Sequence, residues 1–259
     1  MIGYLHRKIH NIMHPVLGRI LMLHRVVEQR SEGENRALEI TPEFLKQTIN
    51  DYRRKGYRFV SIDEACDIIK RGRTKHPFVC LSFDDGYQDN YDIAYPILKQ
   101  MEVPFAVYVT TGFIDNRIPM WWYRCESREQ CQTCLSNAEV QQCEHSYSNE
   151  MLGISAKSLH ALDADPLCTI GAHTISHTRL DTLSPEEQTR EIVQSRQELE
   201  ALLGHPIRHF SYPHGDYNAD TLKIINDCHF VSSLRAWGGT IRKGDVNLLE
   251  LPRIELKEQ

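Results

Sequence analysis

The stretch Leu81-Ser82-Phe83-Asp84-Asp85-Gly86-Tyr87 places two adjacent carboxylates directly after a short apolar run. That run, residues 78–81, predicts a buried strand, and the glycine after the aspartates indicates a turn. Two carboxylates a few ångströms apart oppose each other's ionisation, so holding both charged requires a compensating group. A divalent metal ion on one carboxylate, with the other free as a base, meets that requirement. On these seven residues alone, a plain Asp-Asp-Gly turn is the alternative.

Outward from this stretch, apolar strands and helices alternate along most of the chain. Strands are predicted at residues 19–26, 57–62, 78–81, 105–109, 168–172, 207–212, 230–234 and 248–256. Helices are predicted at residues 42–55, 63–71, 91–101, 185–203 and 219–227, the second of them capped by Asp63. Such alternation favours right-handed crossovers and a parallel sheet. About seven strands with helices between them predict a closed or nearly closed α/β barrel.

Residues 114–162 interrupt this alternation, and we predict that they form an insertion over one end of the fold. The insertion holds four of the eight cysteines, which are Cys125, Cys131, Cys134 and Cys143. His145 follows them. Only one pair has the two-residue gap of a structural zinc site, so a zinc site, free thiols and a disulfide all stay open. The other four are predicted to be buried small hydrophobic residues: Cys66, Cys80, Cys168 and Cys228.

Length and composition fit one domain, residues 1–259, of an ordinary soluble protein with 41% hydrophobic and 25% charged residues. The net charge of −5 argues against nucleic acid as a partner. No apolar run approaches the roughly 20 residues of a membrane span, and no signal-peptide core is visible, so we expect a cytoplasmic protein. Residues 1–14 mix apolar and basic side chains, which allows peripheral membrane contact, although a solvated helix is favoured.

Two histidines, His173 and His177, follow another apolar strand at a spacing of four residues, close enough to share one metal ion. By itself, this pair is as typical of two hydrogen-bonded surface histidines as it is of a metal site. In a barrel the C-terminal ends of the strands converge on one mouth, which would bring the pair to the two aspartates. The combination predicts a metal site of two histidines and one carboxylate, with coordination positions left for water and substrate.

Three stretches in this order, Leu81-Ser82-Phe83-Asp84-Asp85-Gly86, His173-x3-His177 and Tyr212-Pro213-His214-Gly215, resemble the first three motifs of the polysaccharide deacetylase (NodB-homology) family, carbohydrate esterase family 4. The resemblance covers residues 19–256 apart from the insertion. It implies a distorted (β/α)7 barrel and a hydrolase that removes acetyl groups from sugars. It also implies a divalent metal cofactor, most often zinc, with cobalt, nickel or manganese as alternatives.

Position by position, the resemblance assigns Asp85, His173 and His177 as metal ligands and Asp84 as the general base. A metal lowers the pKa of a water ligand from 15.7 towards about 7, so a carboxylate is a sufficient base at neutral pH. The backbone N–H of His214 is the expected donor to the oxyanion. Further candidate substrate contacts are Tyr212, Pro213, Trp237 and Leu251.

Two positions depart from the family pattern. An arginine usually stands where this chain has Ser211, and we predict that Arg253 supplies its charge from another strand, with a surface ion pair as the alternative. The fourth motif usually contains an Asp-Trp pair, of which only Trp237 remains, after Ala236. Trp237 is expected either to line the acetyl pocket or to belong to the core.

The expected acid is also missing, because residues 251–256 contain no histidine. His24 follows an apolar run at the other end of the chain, and the first and last strands of a closed barrel are neighbours. A permuted subgroup that acts on poly-N-acetylglucosamine has this arrangement, and the chain is similar to it. We therefore predict that His24 protonates the leaving amine, although a lone histidine in a strand is usually a core residue.

The sequence thus predicts a metal-dependent hydrolase that removes N-acetyl groups from a carbohydrate, either an N-acetylhexosamine polysaccharide or an envelope glycan precursor. Two alternatives stay open. The same chemistry could act on another group, such as an O-acetyl ester or a lipid-linked formamido sugar. The chain could also bind carbohydrate without catalysis, since the usual arginine and aspartate are missing from their motifs.

Overall fold

A computed structural model describes residues 15–123, 152–244 and 246–259 of the chain. The strands are β1 (Val16–Leu23), β2 (Arg25–Val26), β3 (Glu39–Ile40), β4 (Arg58–Phe59), β5 (Phe78–Phe83), β6 (Phe105–Val109), β7 (Cys168–Ala172), β8 (His209–Ser211), β9 (Ser232–Gly238), β10 (Ile241–Arg242) and β11 (Leu251–Glu255). The α-helices are α1 (Pro42–Arg54), α2 (Ile62–Arg71), α3 (Tyr95–Gln100), α4 (Ala156–Asp163), α5 (Pro185–Thr189), α6 (Ser195–Leu203) and α7 (Ala219–Asp227).

Seven parallel strands close into a barrel, in the order β1, β11, β9, β8, β7, β6 and β5, with β5 returning to β1. The closing seam between β1 and β5 runs from the pair Gly18–Phe78 to the pair Leu23–Phe83. Helices connect the successive parallel strands as the alternating sequence pattern predicts, except from β9 to β11, where β10 and a 3-10 turn lie between them. The predicted distorted (β/α)7 barrel is therefore confirmed.

The barrel is distorted where β1 and β5 begin. The first residues of β1 pair antiparallel with β10, and only the later pair Leu21 and Met22 lies against β11. β5 likewise pairs first with β4 and then, from Leu81 onward, with β6. The seven-strand ring is therefore complete only towards the C-terminal ends of the strands.

Alternate residues of the strands face two parts of the core. On β5, Phe78 and Cys80 belong to an inner cluster, whereas Val79, Leu81 and Phe83 belong to a larger outer cluster with the helices. The helix α2 joins the inner cluster rather than the outer one, through Ile62, Ala65, Cys66 and Ile68. The barrel interior is thus filled largely by apolar side chains below the mouth, and Asp84 and Asp85 follow directly where β5 ends.

Some element boundaries differ from the sequence prediction. The cap of α2 is Ser61, whose side chain accepts a hydrogen bond from the backbone N–H of Glu64, and not Asp63. The first part of the predicted strand 248–256 is a 3-10 turn, and the predicted strand 230–234 starts later and runs to Gly238. The two helices predicted at residues 91–101 and 185–203 each contain a π-helical turn.

The predicted insertion, residues 114–162, extends too far at its C-terminal end. The helix α4 lies mostly within it, and Ile154, Leu159 and Leu162 are buried in the outer core cluster. The apolar spacing of this short helix was hidden by the polar residues before it. The segment is therefore part of the barrel layer from residue 154 onward.

Several predictions fall on residues outside the described ranges. These include the peripheral membrane contact of residues 1–14 and the cluster of Cys125, Cys131, Cys134, Cys143 and His145. Of the other cysteines, three are buried as predicted, but Cys228 is only partly buried. Among the described residues, no helix has the length and apolar character needed to cross a membrane.

Candidate active site

Three metal-ligating side chains meet at the C-terminal mouth of the barrel. Asp85 lies just beyond β5, His173 directly follows β7, and His177 lies four residues further along the same loop. The Nε2 atoms of His173 and His177 lie 3.4 and 3.2 Å from Oδ1 of Asp85. One ligand atom of each residue lies within 4.8 Å of the others, and all three residues are buried. The structure thus brings together the three residues that the sequence assigned as metal ligands.

The backbone at this site adopts an uncommon conformation. Asp85, Thr174 and His177 have φ angles of 74°, 67° and 59°, in the left-handed region that non-glycine residues rarely occupy. Such strain persists only where surrounding contacts impose it, and it clusters at functional sites. Here the loop is fixed by Glu191, whose Oε2 accepts hydrogen bonds from the backbone N–H groups of residues 175 and 176 at 2.9 and 3.0 Å.

Glu191 was not predicted from the sequence to belong to the site. It lies in the π-helical turn between α5 and α6 and is 5% exposed. In the sequence it is one of several glutamates in a predicted helix, where a charged residue is normally solvated. The only available signal was its position on a helix that follows the histidine loop.

The three side chains fit a divalent ion. Oδ1 of Asp85 is buried and has no hydrogen-bond partner. Nδ1 of His173 donates to the backbone carbonyl of Ser211 at 2.7 Å, which leaves Nε2 directed at the other two ligands. Burial and the neighbouring histidines lower the pKa of His177 well below its usual value, so this imidazole stays neutral. Imidazole nitrogens with one carboxylate are a donor set that zinc and similar ions accept.

The charge balance of the site also favours a cation. Burial alone lowers the pKa of His173, but the carboxylates of Asp84 and Asp85 outweigh burial and raise it above its usual value. The mouth therefore stabilises positive charge between these side chains, as a metal site must.

Asp84, the other carboxylate of the pair, is bound by Arg253. Nη1 of Arg253 lies 2.8 Å from Oδ1 of Asp84, and Nη2 lies 2.6 Å from Oδ2. Burial would raise the pKa of Asp84, but the guanidinium charge opposes it and the pKa is lowered to about 2. Asp84 is therefore ionised throughout the neutral range. Because Arg253 is only 1% exposed, its alternative interpretation as a surface ion pair is wrong.

His24 lies at the mouth, directly after β1. β1 pairs with β11 through Leu21–Ile254 and Met22–Glu255, so the first and last long strands are neighbours as predicted. The imidazole of His24 is half-buried, and its charge influences the pKa values of both Asp84 and His177. Its backbone carbonyl accepts a hydrogen bond from Nδ2 of Asn90 at 2.8 Å. His24 therefore lies at the mouth and is not a core residue, which was the alternative prediction.

The loop after β8 carries His214 beside the three candidate metal ligands. The ring centroid of His214 lies 4.6 Å from that of His177, and its φ angle is 58°. Gly215 has a φ of 78°, and a Cβ there would lie 2.6 Å from the ring of Trp237. Trp237 thus covers this loop while remaining 52% exposed, which contradicts its alternative as a core residue.

Two further tryptophans border the ligands, although the sequence analysis assigned them to the insertion. The ring centroid of Trp122 lies 4.9 Å from that of His177, and its Nε1 donates to the hydroxyl of Tyr87 at 3.0 Å. Trp121 lies 6.3 Å from His177 and 6.2 Å from His214, between ring centroids. These residues have no helical or strand periodicity, so the adjacent tryptophans themselves were the only signal.

Two predicted substrate contacts are contradicted by burial. The side chain of Tyr212 is 0% exposed, and its hydroxyl donates to the carbonyl of Leu249 at 2.8 Å on the outer side of the barrel. Leu251 is also 0% exposed and packs in the inner core cluster with Leu234. Because strand side chains alternate in direction, proximity in sequence to the site did not place these side chains at it. Pro213 is buried within the loop that presents His214.

Comparison with known proteins agrees with these motifs. A family model described as polysaccharide deacetylase matches residues 71–232, more than half of the chain. YxkH of Bacillus subtilis (strain 168), which is named for the same family, is 25% identical over 169 residues, 65% of this chain and 48% of that protein. The match thus spans about half the length of this curated relative.

Two solved structures share the barrel. The deacetylase PplD of Streptococcus pyogenes, solved in complex with acetate, has a TM-score of 0.71 and 24% identity, over 94% of this chain and 93% of that chain. IcaB from Ammonifex degensii has a TM-score of 0.70 and 22% identity, over 93% and 92% of the two chains. At these identities the likeness establishes the fold.

Proposed function

The chain belongs to the polysaccharide deacetylase family, whose members are hydrolases of N-acetyl amide bonds, and we propose that it removes N-acetyl groups from an N-acetylhexosamine carbohydrate in a metal-dependent reaction. The observation that carries this proposal is that a candidate metal-ligand triad and a buried carboxylate–guanidinium pair lie side by side at the mouth of the barrel. Asp85, His173 and His177 converge on a common centre. Beside them, Asp84 is held ionised by Arg253 and is not needed as a ligand.

A divalent ion held by Asp85, His173 and His177 would supply a Lewis acid for the acetyl carbonyl and would lower the pKa of a water molecule. Asp84 accepts the proton of the attacking water. With a pKa of about 2, Asp84 is a weak base, so this transfer requires an acidified water. The cation site next to Asp84 would therefore compensate for the low pKa of this carboxylate, because a bound ion would make the water easier to deprotonate.

The remaining steps need two groups that donate protons or hydrogen bonds. Charge that develops on the acetyl oxygen is stabilised by the backbone N–H of His214, in the loop that lies against the metal ligands. The sugar nitrogen must gain a proton before its bond to the acetyl carbon breaks, and His24 donates it. His24 suits this role because it is half-buried at the mouth and near Asp84.

The aromatic side chains around the mouth suit a carbohydrate. Trp237 presents an exposed face above the loop of His214. Trp122 is partly exposed on the side of His177. Aromatic rings combine an apolar face with a polar edge, and sugars offer both kinds of surface. The related barrel PplD is a deacetylase that was solved with acetate, which supports an acetyl group as the part removed here.

The test is release of acetate from defined substrates by protein supplied with zinc, cobalt, nickel or manganese. We expect release from N-acetylhexosamine oligomers and none after chelation of the metal. Acetate release only from O-acetylated sugars, or formate release only from N-formylated sugars, would assign the same residues to the alternative substrate. Binding of sugar without acetate release, with every metal supplied, would instead identify a carbohydrate-binding protein and contradict the proposal.

A further inference from the structure

The guanidinium of Arg253 is held by more than its carboxylate partner. Nη1 lies 3.3 Å from Oγ of Ser82, and Nη2 lies 3.0 Å from Oγ of Ser211. Nε donates to the backbone carbonyl of Arg235 at 2.6 Å. A guanidinium has five N–H donors in a planar fork, and with the two bonds to Asp84 each of the five has an acceptor. We call the two hydroxyls and the Arg235 carbonyl the arginine cradle.

The Arg235 carbonyl, the third acceptor of the arginine cradle, lies in a bulge of β9. β9 and β11 are paired at Leu234–Leu251 and next at Gly238–Arg253, so four residue steps on β9 oppose two on β11. The extra residues of a bulge do not join the regular ladder, and bulges redirect groups near active sites. Here the carbonyl of Arg235, which lies within the bulge, accepts a hydrogen bond from Nε of Arg253.

Ser211 contacts both halves of the site. Its Oγ accepts from Nη2 of Arg253 and donates to Oδ2 of Asp84 at 3.3 Å. Its backbone carbonyl accepts the Nδ1–H of His173 at 2.7 Å. Ser211 is fully buried, so water does not compete for these bonds. One residue at the end of β8 thus links the carboxylate–guanidinium pair to a metal ligand.

We propose that Ser211 is a positioning residue for the hydrolysis, which orients Asp84 through the arginine cradle while its carbonyl fixes the tautomer of His173. The inference rests on the proposed role of Asp84 as the base. It also explains why this chain has a serine at position 211, where the family usually has an arginine. Because Arg253 already fills the space beside Asp84, residue 211 has to be small and has to accept a hydrogen bond, which serine does and arginine does not.

The first test compares the kinetics of Ser211→Ala with those of a matched control. Ser195→Ala removes an equally buried hydroxyl, which donates to the carbonyl of Ile192 at 3.0 Å within its own helix and not to Asp84, Arg253 or His173. We expect kcat to fall about tenfold in Ser211→Ala, the size of a lost hydrogen bond to a charged group. KM and metal content should not change, because the carbonyl that holds His173 remains. Ser195→Ala should keep the parent kcat.

Coupling to Arg253 separates positioning from a general loss of packing. If Ser211 acts through the guanidinium, Ser211→Ala should cost little in an Arg253→Lys background, so the double variant loses less than the product of the single losses. Equal falls in kcat for both serine variants, or fully multiplicative losses with Arg253→Lys, would overturn the inference.

A second measurement does not depend on activity. In metal-free protein, the side-chain N–H groups of Arg253 should exchange slowly with solvent by NMR, faster in Ser211→Ala, and as in the parent in Ser195→Ala. Equal exchange in all three proteins would show that Ser211 does not hold the guanidinium. Absence of acetate release by the parent protein would instead count against the proposed function, and the exchange data would still decide whether the cradle exists.

Discussion

Asp84 stays charged in a buried position because one guanidinium binds both of its oxygens. A buried carboxylate without a partner would be protonated, since burial disfavours the charged form. The sequence could suggest Arg253 only through the missing arginine of motif three, because the two residues are 169 positions apart. What the sequence could not show is that all the donors of Arg253 are used, which makes the pairing specific for arginine.

Replacing Arg253 by Lys is expected to lower kcat/KM about 10- to 100-fold, because an ammonium cannot bind both oxygens of Asp84 in the same plane. The free energy of unfolding should also fall, by about 1–3 kcal/mol, since hydrogen bonds to a buried charge are lost. Acetate release and denaturant unfolding measure the two effects. The control is Arg208→Lys, which alters an exposed pair with Asp63 and should change neither quantity appreciably. Indistinguishable results for the two variants would contradict the role of Arg253.

Replacing His24 by Ala is expected to lower kcat about 10²- to 10⁴-fold, the usual contribution of a general acid, without loss of bound metal. The physical reason is that the amine leaves poorly without a proton. Metal analysis alongside the rate measurement separates this effect from damage to the ligands. His76→Ala, at an exposed histidine before β5, serves as the control. A parent-like rate in His24→Ala would remove His24 from the mechanism.

Among the secondary-structure elements, the ends of the strands position the site. The strands themselves could be predicted from the sequence. β5, β6 and β7 have almost uninterrupted apolar sequences, as strands buried on both faces should. The bulge in β9 was not predictable, because hydrophobic pattern does not report which residues of two strands are paired. The cap of α2 was misplaced for a simpler reason, since Ser61 and Asp63 are both good capping residues.

The closing seam between β1 and β5 requires a residue without a side chain at position 18. A Cβ on Gly18 would lie 2.3 Å from the ring of Phe78, its pairing partner. We expect Gly18→Ala to lower the free energy of unfolding by about 1–3 kcal/mol, as overpacking of a core does. In a Phe78→Ala background the same substitution should cost much less, because the clashing ring is gone. Equal costs in both backgrounds, measured by denaturant unfolding, would show that the seam is not limited by this contact.

At the scale of the whole molecule, closure of the barrel unites residues from both ends of the chain. His24 and Arg253 lie outside the family match of residues 71–232, yet β1 and β11 are neighbours and bring both to the mouth. The three proposed metal ligands could be picked out from the sequence because they lie in short motifs at strand ends. Trp121, Trp122 and Glu191 were not, because their contacts with the site depend on how distant loops pack over it.

The proposed reaction requires that one divalent ion is held by Asp85 and two histidines while Asp84 serves as the base. The most direct test measures metal content and acetate release on the same samples of the parent protein, Asp84→Asn and Asp85→Asn. We predict one tightly bound ion in the parent and in Asp84→Asn, acetate release only in the parent, and loss of the ion in Asp85→Asn. Parent-like metal affinity in Asp85→Asn, or parent-like turnover in Asp84→Asn, would contradict this account.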